Sequence, residues 1–205
     1  MLGKLPKAIV VASRNPGKIR EIKACLEGLP VTLVPLEEAA PGLSFAEQAG
    51  SFAGNATHKA QVTAAASGQY ALADDSGLEV EALGGLPGVR SSRFAGPEAT
   101  DEERIGKLLA LLKDTPDDRR RARYVCVVAL ASPQGEVWTW EGTCEGEIGL
   151  VPRGSGGFGY DPVFLLPELG KTMAELPLAQ KNALSHRGQA LRRMREALEQ
   201  VGRPT

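Results

Sequence analysis

Apolar positions switch repeatedly between strand-like runs and helical spacing. Ile9, Val10 and Val11 form a short buried-type strand that stops at Ser13-Arg14-Asn15, where Asn15 can cap a helix and Pro16 suits its first position. Ile19, Ile22, Leu26 and Leu29 then recur at helical intervals until Gly28 and Pro30 end the element. Residues 31–36 read as a second strand, followed by a loop to Gly50 and a helix over 52–66. Two further strands, 70–74 and 78–83, precede an irregular Gly84-Gly85-Leu86-Pro87-Gly88 loop. A capping box, Thr100-x-x-Glu103, opens a helix carrying Ile105, Leu108, Leu109 and Leu112, with a solvent-facing far side. Residues 123–132 and 136–147 are β-rich and are joined by Pro133-Gln134-Gly135, which predicts an antiparallel hairpin. Residues 148–162 are glycine-rich, and Leu191, Met194, Leu198 and Val201 share one face of a final helix. The pattern predicts an α/β or mixed α+β architecture on one long mixed sheet flanked by helices, without repeats or linkers.

Length and charge narrow the function classes. A chain of 205 residues with 42% hydrophobic residues can bury a core without disulfides, as one domain over 1–205 or two intimate lobes. The 24 basic residues nearly cancel the 25 acidic ones, so no overall field holds nucleic acid or an anionic membrane, and a small ligand is expected instead. Cys25, Cys126 and Cys144 form no C-x-x-C pair, which points to a reducing, cytoplasmic compartment and no thiolate zinc site. The apolar run 8–12 is too short for a signal peptide or a membrane span.

Five segments carry candidate chemistry. Ser13-Arg14-Asn15-Pro16-Gly17-Lys18 leaves a strand and opens a helix, aiming amide groups outward where phosphate binds well, with Lys18 as a point charge. Plain helix capping accounts for the same residues. Phe52, Asn55, Ala56, Lys59 and Ala60 share one helical face, so Lys59 either finds an anionic partner or snorkels to the edge, while His58 lies off that face at the surface. In Asp74-Asp75-Ser76-Gly77 alternation turns the two carboxylates to opposite faces, and one suffices as a hard ligand for magnesium; the tetrapeptide also suits a turn. Between Gly154 and Pro162, glycines surround Phe158 and Tyr160, which can stack on a nucleobase or merely anchor the loop, and Asp161 can accept from a ring N–H. In the fifth, Lys181-Asn182-Ala183-Leu184-Ser185-His186-Arg187, Ser185 can cap the last helix, and the cations beside that positive helix end point to a ligand. The run Arg119-Arg120-Arg121-Ala122-Arg123 reads as a solvated face.

Taken together in this order, six blocks resemble the inosine triphosphate pyrophosphatase family, house-cleaning enzymes that remove deaminated purine nucleotides. They are Ser13-x-Asn15-x-x-Lys18, Phe52-x-x-Asn55-Ala56-x-x-Lys59-Ala60, Asp74-Asp75-Ser76-Gly77-Leu78, Gly85-x-Pro87-Gly88-Val89-x-Ser91-x-Arg93, Gly157-Phe158-Gly159-Tyr160-Asp161-Pro162 and Ser185-His186-Arg187. The resemblance spans nearly the whole chain. It implies a two-lobed fold around an elongated mixed sheet with a substrate cleft between the lobes, a homodimer, and hydrolysis of ITP, dITP or XTP to the monophosphate and pyrophosphate. It assigns the triphosphate to Ser13, Asn15, Lys18, Asn55 and Lys59, and catalysis and metal binding to Asp75. Ser76 becomes a substrate contact, and Phe158, Gly159, Tyr160, Asp161, Lys181, His186 and Arg187 a base pocket. A glutamate upstream of Phe52 is implied as a second magnesium ligand. Here the chain departs from the family pattern: Glu47-Gln48-Ala49-Gly50-Ser51-Phe52 is one residue tighter after the glycine, yet Glu47 keeps the usual distance to Phe52 and is preferred over Glu37 and Glu38. A catalytically silent nucleotide sensor, or a pyrophosphatase for other nucleotides, would carry many of the same contacts.

Overall fold

The computed structural model describes residues 5–45 and 50–202. Its elements follow as β1 (Ala8–Val11), α1 (Pro16–Leu26), β2 (Thr32–Pro35), α2 (Leu36–Ala39), α3 (Phe52–Ser67), β3 (Tyr70–Val80), α4 (Asp101–Leu111), β4 (Arg121–Ala131), β5 (Val137–Ile148), β6 (Phe164–Leu166), β7 (Lys171–Thr172), α5 (Leu178–Leu184) and α6 (His186–Gly202). The strand order is β2-β1-β3-β4-β5-β6-β7. β1 runs parallel to β2 and β3, whereas β6 is antiparallel to β5 and β7, so the sheet is mixed.

The chain folds into two compact units, one of Met1–Asp75, Cys126–Gly142 and Arg187–Thr205, the other of Ser76–Val125 and Thr143–His186. In the first, Ile9, Val11, Leu72, Cys126, Val128 and Leu130 line one sheet face and pack with Ile22 and Leu26 of α1 and Leu191, Met194 and Leu198 of α6. Helix α3 packs on β1 and buries a stripe of its own, Ala56, Ala60 and Ala64, to 1% exposure or less. Small side chains there let helix and strand backbones approach closely. In the second unit, Leu78, Val80, Ala122, Tyr124 and Phe164 meet Ile105, Leu108 and Leu112 in and just after α4.

The structure departs from the sequence expectations in four places. Residues 70–74 and 78–83 are not two strands: β3 runs unbroken through Asp74-Asp75-Ser76-Gly77, and residues 81–83 form a single 3-10 turn closed by Gly84 at φ +63°. The quartet reads as a break because sequence shows no partners for buried carboxylates, and here those partners come from distant helices. α1 stops at Leu26, short of Leu29. Leu36 leaves the second strand and opens α2, which the periodicity did not predict. Arg120, read as part of a solvated run, is 4% exposed and donates to the carbonyls of Leu112, Ile148 and Gly149. The β4–β5 turn follows expectation, closed by Ser132 N to Glu136 O at 2.8 Å with Gly135 at φ +94°.

Candidate active site

The strand–loop–helix unit at the start of the chain is built as its sequence dictates. The Ala12 amide donates to Leu72 O at 2.7 Å, holding the end of β1 to β3. Asn15 caps α1 by accepting from the Lys18 amide at 3.1 Å, and its own amide donates to Ser13 Oγ at 3.2 Å. Capping and phosphate binding are compatible, because a cap fixes the loop while other amides stay directed outward. Lys18 lies in the first turn of α1 and places Nζ 2.9 Å from Asp74 Oδ2.

β3 alternation sends its two aspartates to different helices. Asp74 follows Leu72 on the face covered by α1 and α6 and accepts from Arg187 Nε and Nη2, both at 3.1 Å. Arg187 also donates through Nη1 to Glu21, so Lys18, Glu21, Asp74 and Arg187 form a charge cluster in which the last three are buried. Burial opposes the charge on Asp74, but Lys18, Arg187 and Lys59 outweigh it and hold the carboxyl well below the usual range. Asp75 turns to α3: Oδ2 accepts from Asn55 Nδ2 and Oδ1 from Lys59 Nζ, each at 3.0 Å. For Asp75 burial dominates the opposing pull of Lys59 and Asn55, so its carboxyl sits above the ordinary value. The anionic partner that Lys59 requires is therefore Asp75, and the turn reading of this tetrapeptide is replaced by a strand.

The glycine-rich segment lies in the second unit and is held by its own acid. Asp161 Oδ2 accepts from the Phe158 amide at 2.9 Å and pairs with Lys181 of α5, while Oδ1 accepts from Tyr124 OH at 3.3 Å. Lys181 Nζ also sits 4.8 Å from the centroid of the Phe158 ring. His186, 5% exposed, stacks on Tyr124 with centroids 4.5 Å apart and 12° between planes. Tyr160 is buried and donates to Ser91 O at 3.0 Å; burial pushes its phenol up. The Gly159 amide donates to Asp101 Oδ2 at 2.6 Å. Ser76 follows Asp75 on β3 and is half-buried.

The structure thus gathers Lys18 and Arg187 on Asp74, Asn55 and Lys59 on Asp75, and Phe158, Lys181 and, through Tyr124, His186 around Asp161. Sequence reasoning passed over Glu21, Tyr124 and Asp101. Glu21 was findable, being three residues after Lys18 and next to the core residue Ile22. Tyr124 and Asp101 gave no local signal. Arg187 was assigned to a base pocket, and its guanidinium is seen on Asp74 and Glu21. Burial pushes Cys25 and Cys144 to about 11 and Cys126 to about 12, which makes all three poor nucleophiles.

Glu47 lies outside the described residues. The alternative Glu37 is exposed and pairs with Arg14 at 2.6 Å, and Glu38 is exposed. Among the described residues no three His, Cys, Asp or Glu side chains gather as a ready-made metal cage. Asp75 alone still fits magnesium, since each of its oxygens accepts one of these bonds and has a second lone pair. This ion commonly takes one or two carboxylates and completes its shell with water and substrate phosphate.

A model of the Ham1 family matches residues 9–197. The chain is 50% identical over 190 residues to the dITP/XTP pyrophosphatase of Geobacter sulfurreducens, covering 93% of this chain and 96% of that one. It is 50% identical to the dITP/XTP pyrophosphatase of Thermus thermophilus over 92% of this chain and 90% of that one. Among solved structures, a HAM1 protein from Coxiella burnetii superposes with a TM-score of 0.86 at 43% identity, covering 94% of this chain and 98% of that one. The Staphylococcus aureus Ham1 protein gives 0.85 at 41% identity, with 95% and 99% covered.

Proposed function

The chain belongs to the Ham1 family, and from that premise we propose that it is a nucleoside triphosphate pyrophosphatase cleaving ITP, dITP and XTP to the monophosphate and pyrophosphate. The observation that carries the mechanism is Asp75, a buried carboxylate whose two oxygens are oriented by Lys59 and Asn55. A carboxylate held in direction can accept the proton of an attacking water. Water oxygen bonds to the α-phosphorus, the bond from that phosphorus to the oxygen bridging to the β-phosphorus breaks, and pyrophosphate leaves with the bonding pair. The water proton passes to Asp75 and then to solvent. No covalent intermediate is required.

Ser13, Asn15, Lys18, Asn55 and Lys59 handle the triphosphate. The α1 amide end offers donors to phosphate oxygens, and the two ammonium groups offset negative charge. Asp75 and Glu47 would hold Mg2+, which supplies charge neutralisation on the phosphates when bound. Ser76, Phe158, Gly159, Tyr160, Asp161, Lys181, His186 and Arg187 form the remaining substrate contacts, with the Phe158 ring facing the base. Hypoxanthine and xanthine carry an oxygen where adenine carries an amine, so donors from Lys181, His186 or Arg187 favour the oxo base. Adenine would leave such a donor unpaired, a penalty that discriminates strongly. The reading includes a cytoplasmic homodimer, which sedimentation at micromolar concentration would report.

Purified protein with Mg2+ would be given ITP, dITP, XTP, ATP and GTP, and the products separated. Monophosphate and pyrophosphate from the first three, with slow turnover of ATP and GTP, is the expected result. Release of orthophosphate, or equal rates on all five, would overturn it.

A further inference from the structure

We propose that Asp101 is a positioning residue that sets base selectivity by holding the backbone of the Phe158–Asp161 segment from the start of α4. The proposal rests on the reading that this segment contacts the nucleobase. Asp101 Oδ2 accepts from the Gly159 amide at 2.6 Å across 58 residues of sequence. Its other oxygen pairs with Arg104, whose Nη1 donates to Ser92 O at 2.7 Å and Ala99 O at 2.6 Å, so the carboxylate is itself held in direction.

The helix does not require this side chain as a cap. The capping box of α4 is complete without it: Glu103 N donates to Thr100 Oγ1 at 3.2 Å and Thr100 N to Glu103 Oε2 at 2.7 Å. Asp101 occupies the next position and is directed to the loop instead. The loop needs such a tie. Gly154 and Gly156 are packed against the Ala174 backbone, where a Cβ would lie within 3 Å, whereas a Cβ at Gly159 would meet nothing within 4 Å, and Gly159 sits at φ +63° where other residues are strained. Asp161 fixes the loop at Phe158, and Tyr160 OH fixes it at Ser91 O. Between those ties, the Gly159 amide is the point that decides how the Phe158 ring is presented. A bond from an amide to a carboxylate is among the stronger backbone ties. Losing it leaves the binding conformation only partly populated, which weakens apparent affinity without touching the reacting phosphorus.

The test compares Asp101→Ala, Asp101→Asn and Glu102→Ala. Glu102 is exposed, and its replacement removes a negative charge from the same helix end. Asp101→Ala should raise KM for dITP about tenfold with kcat within about twofold, and should lower the dITP-to-dGTP ratio of kcat/KM. Asp101→Asn keeps an acceptor oxygen and should stay within about threefold of the parent, while Glu102→Ala should match it. Hydrogen exchange of a peptide over 154–162 should accelerate in Asp101→Ala and not in Glu102→Ala. Asp101→Ser, well tolerated at a helix start and too short to reach the Gly159 amide, gives the same reading if the alanine variant does not fold. Unchanged KM and selectivity, or unchanged exchange, overturns the proposal. Failure of the parent protein to hydrolyse dITP would instead overturn the function proposed above, and the exchange comparison would still decide the tie.

Discussion

Two adjacent aspartates of one strand meet opposite electrostatic fates. Asp74 and Asp75 are both buried, yet the first is held ionised by three cations while the second is raised because desolvation exceeds what Lys59 and Asn55 return. Each gives a prediction. Asp75→Asn keeps the shape of the side chain but removes the proton acceptor. Turnover should fall on the order of 10³-fold, while calorimetry should still show micromolar or better nucleotide binding; parent-like turnover would rule the mechanism out. Asp74 governs stability. Its folded pKa is depressed, so its contribution is present above the unfolded carboxyl value of about 3.9 and is lost as pH falls through the folded value below that. Asp74→Asn should cost about 3 kcal/mol at pH 7 by leaving Lys18 and Arg187 less compensated. Urea midpoints of parent and variant, measured without metal, should converge as the pH is taken from 7 towards 2. A constant gap would contradict this assignment.

At the scale of elements, the fold is positioned by a few close approaches. A Cβ at Gly146 of β5 would lie 2.5 Å from Leu165 O and 2.7 Å from Phe164 ring carbons of β6, the neighbouring strand in the sheet. Gly146→Ala should therefore destabilise by about 1–3 kcal/mol and lower the melting temperature, with no change in the chemistry at Asp75. Helix α3 shows the opposite device. Ser51 caps it by accepting from Gly54 N, Gly68 closes it at φ +65°, and alanines bring it close enough for Asn55 and Lys59 to reach Asp75. These ends were legible because caps and αL glycines are local signals. The continuity of β3 was not, because the polar quartet within it is stabilised by Lys18, Lys59 and Arg187, which are far away in sequence.

For the whole molecule, near-zero net charge fits a small-ligand enzyme better than a nucleic-acid binder. No helix among the described residues is long and apolar enough to cross a membrane. With Asp75 as the described carboxylate suited to magnesium, the ion should not hold the fold together. The melting temperature in EDTA should lie within about 2 °C of that in Mg2+, whereas Mg2+ with dIMP should raise it by linkage. Chelation should abolish turnover and Mg2+ restore it. A large loss of stability in EDTA alone would indicate a structural metal instead.

Local periodicity, caps and turn glycines determined the helices α1, α3, α4 and α6 and the hairpin from β4 to β5, because each depends on residues within a few positions of one another. The ordered blocks from Ser13 to Arg187 likewise carried the resemblance to the family whose model matches residues 9–197. What tertiary structure alone decided was pairing: that Asp74 takes Lys18 and Arg187, that Asp75 takes Lys59, that Asp161 is clamped by Lys181 and Tyr124, and that Asp101 reaches Gly159. The physical reason is that the cost of burying a charge is set by its neighbours in space, and those neighbours come from segments that no short-range pattern connects.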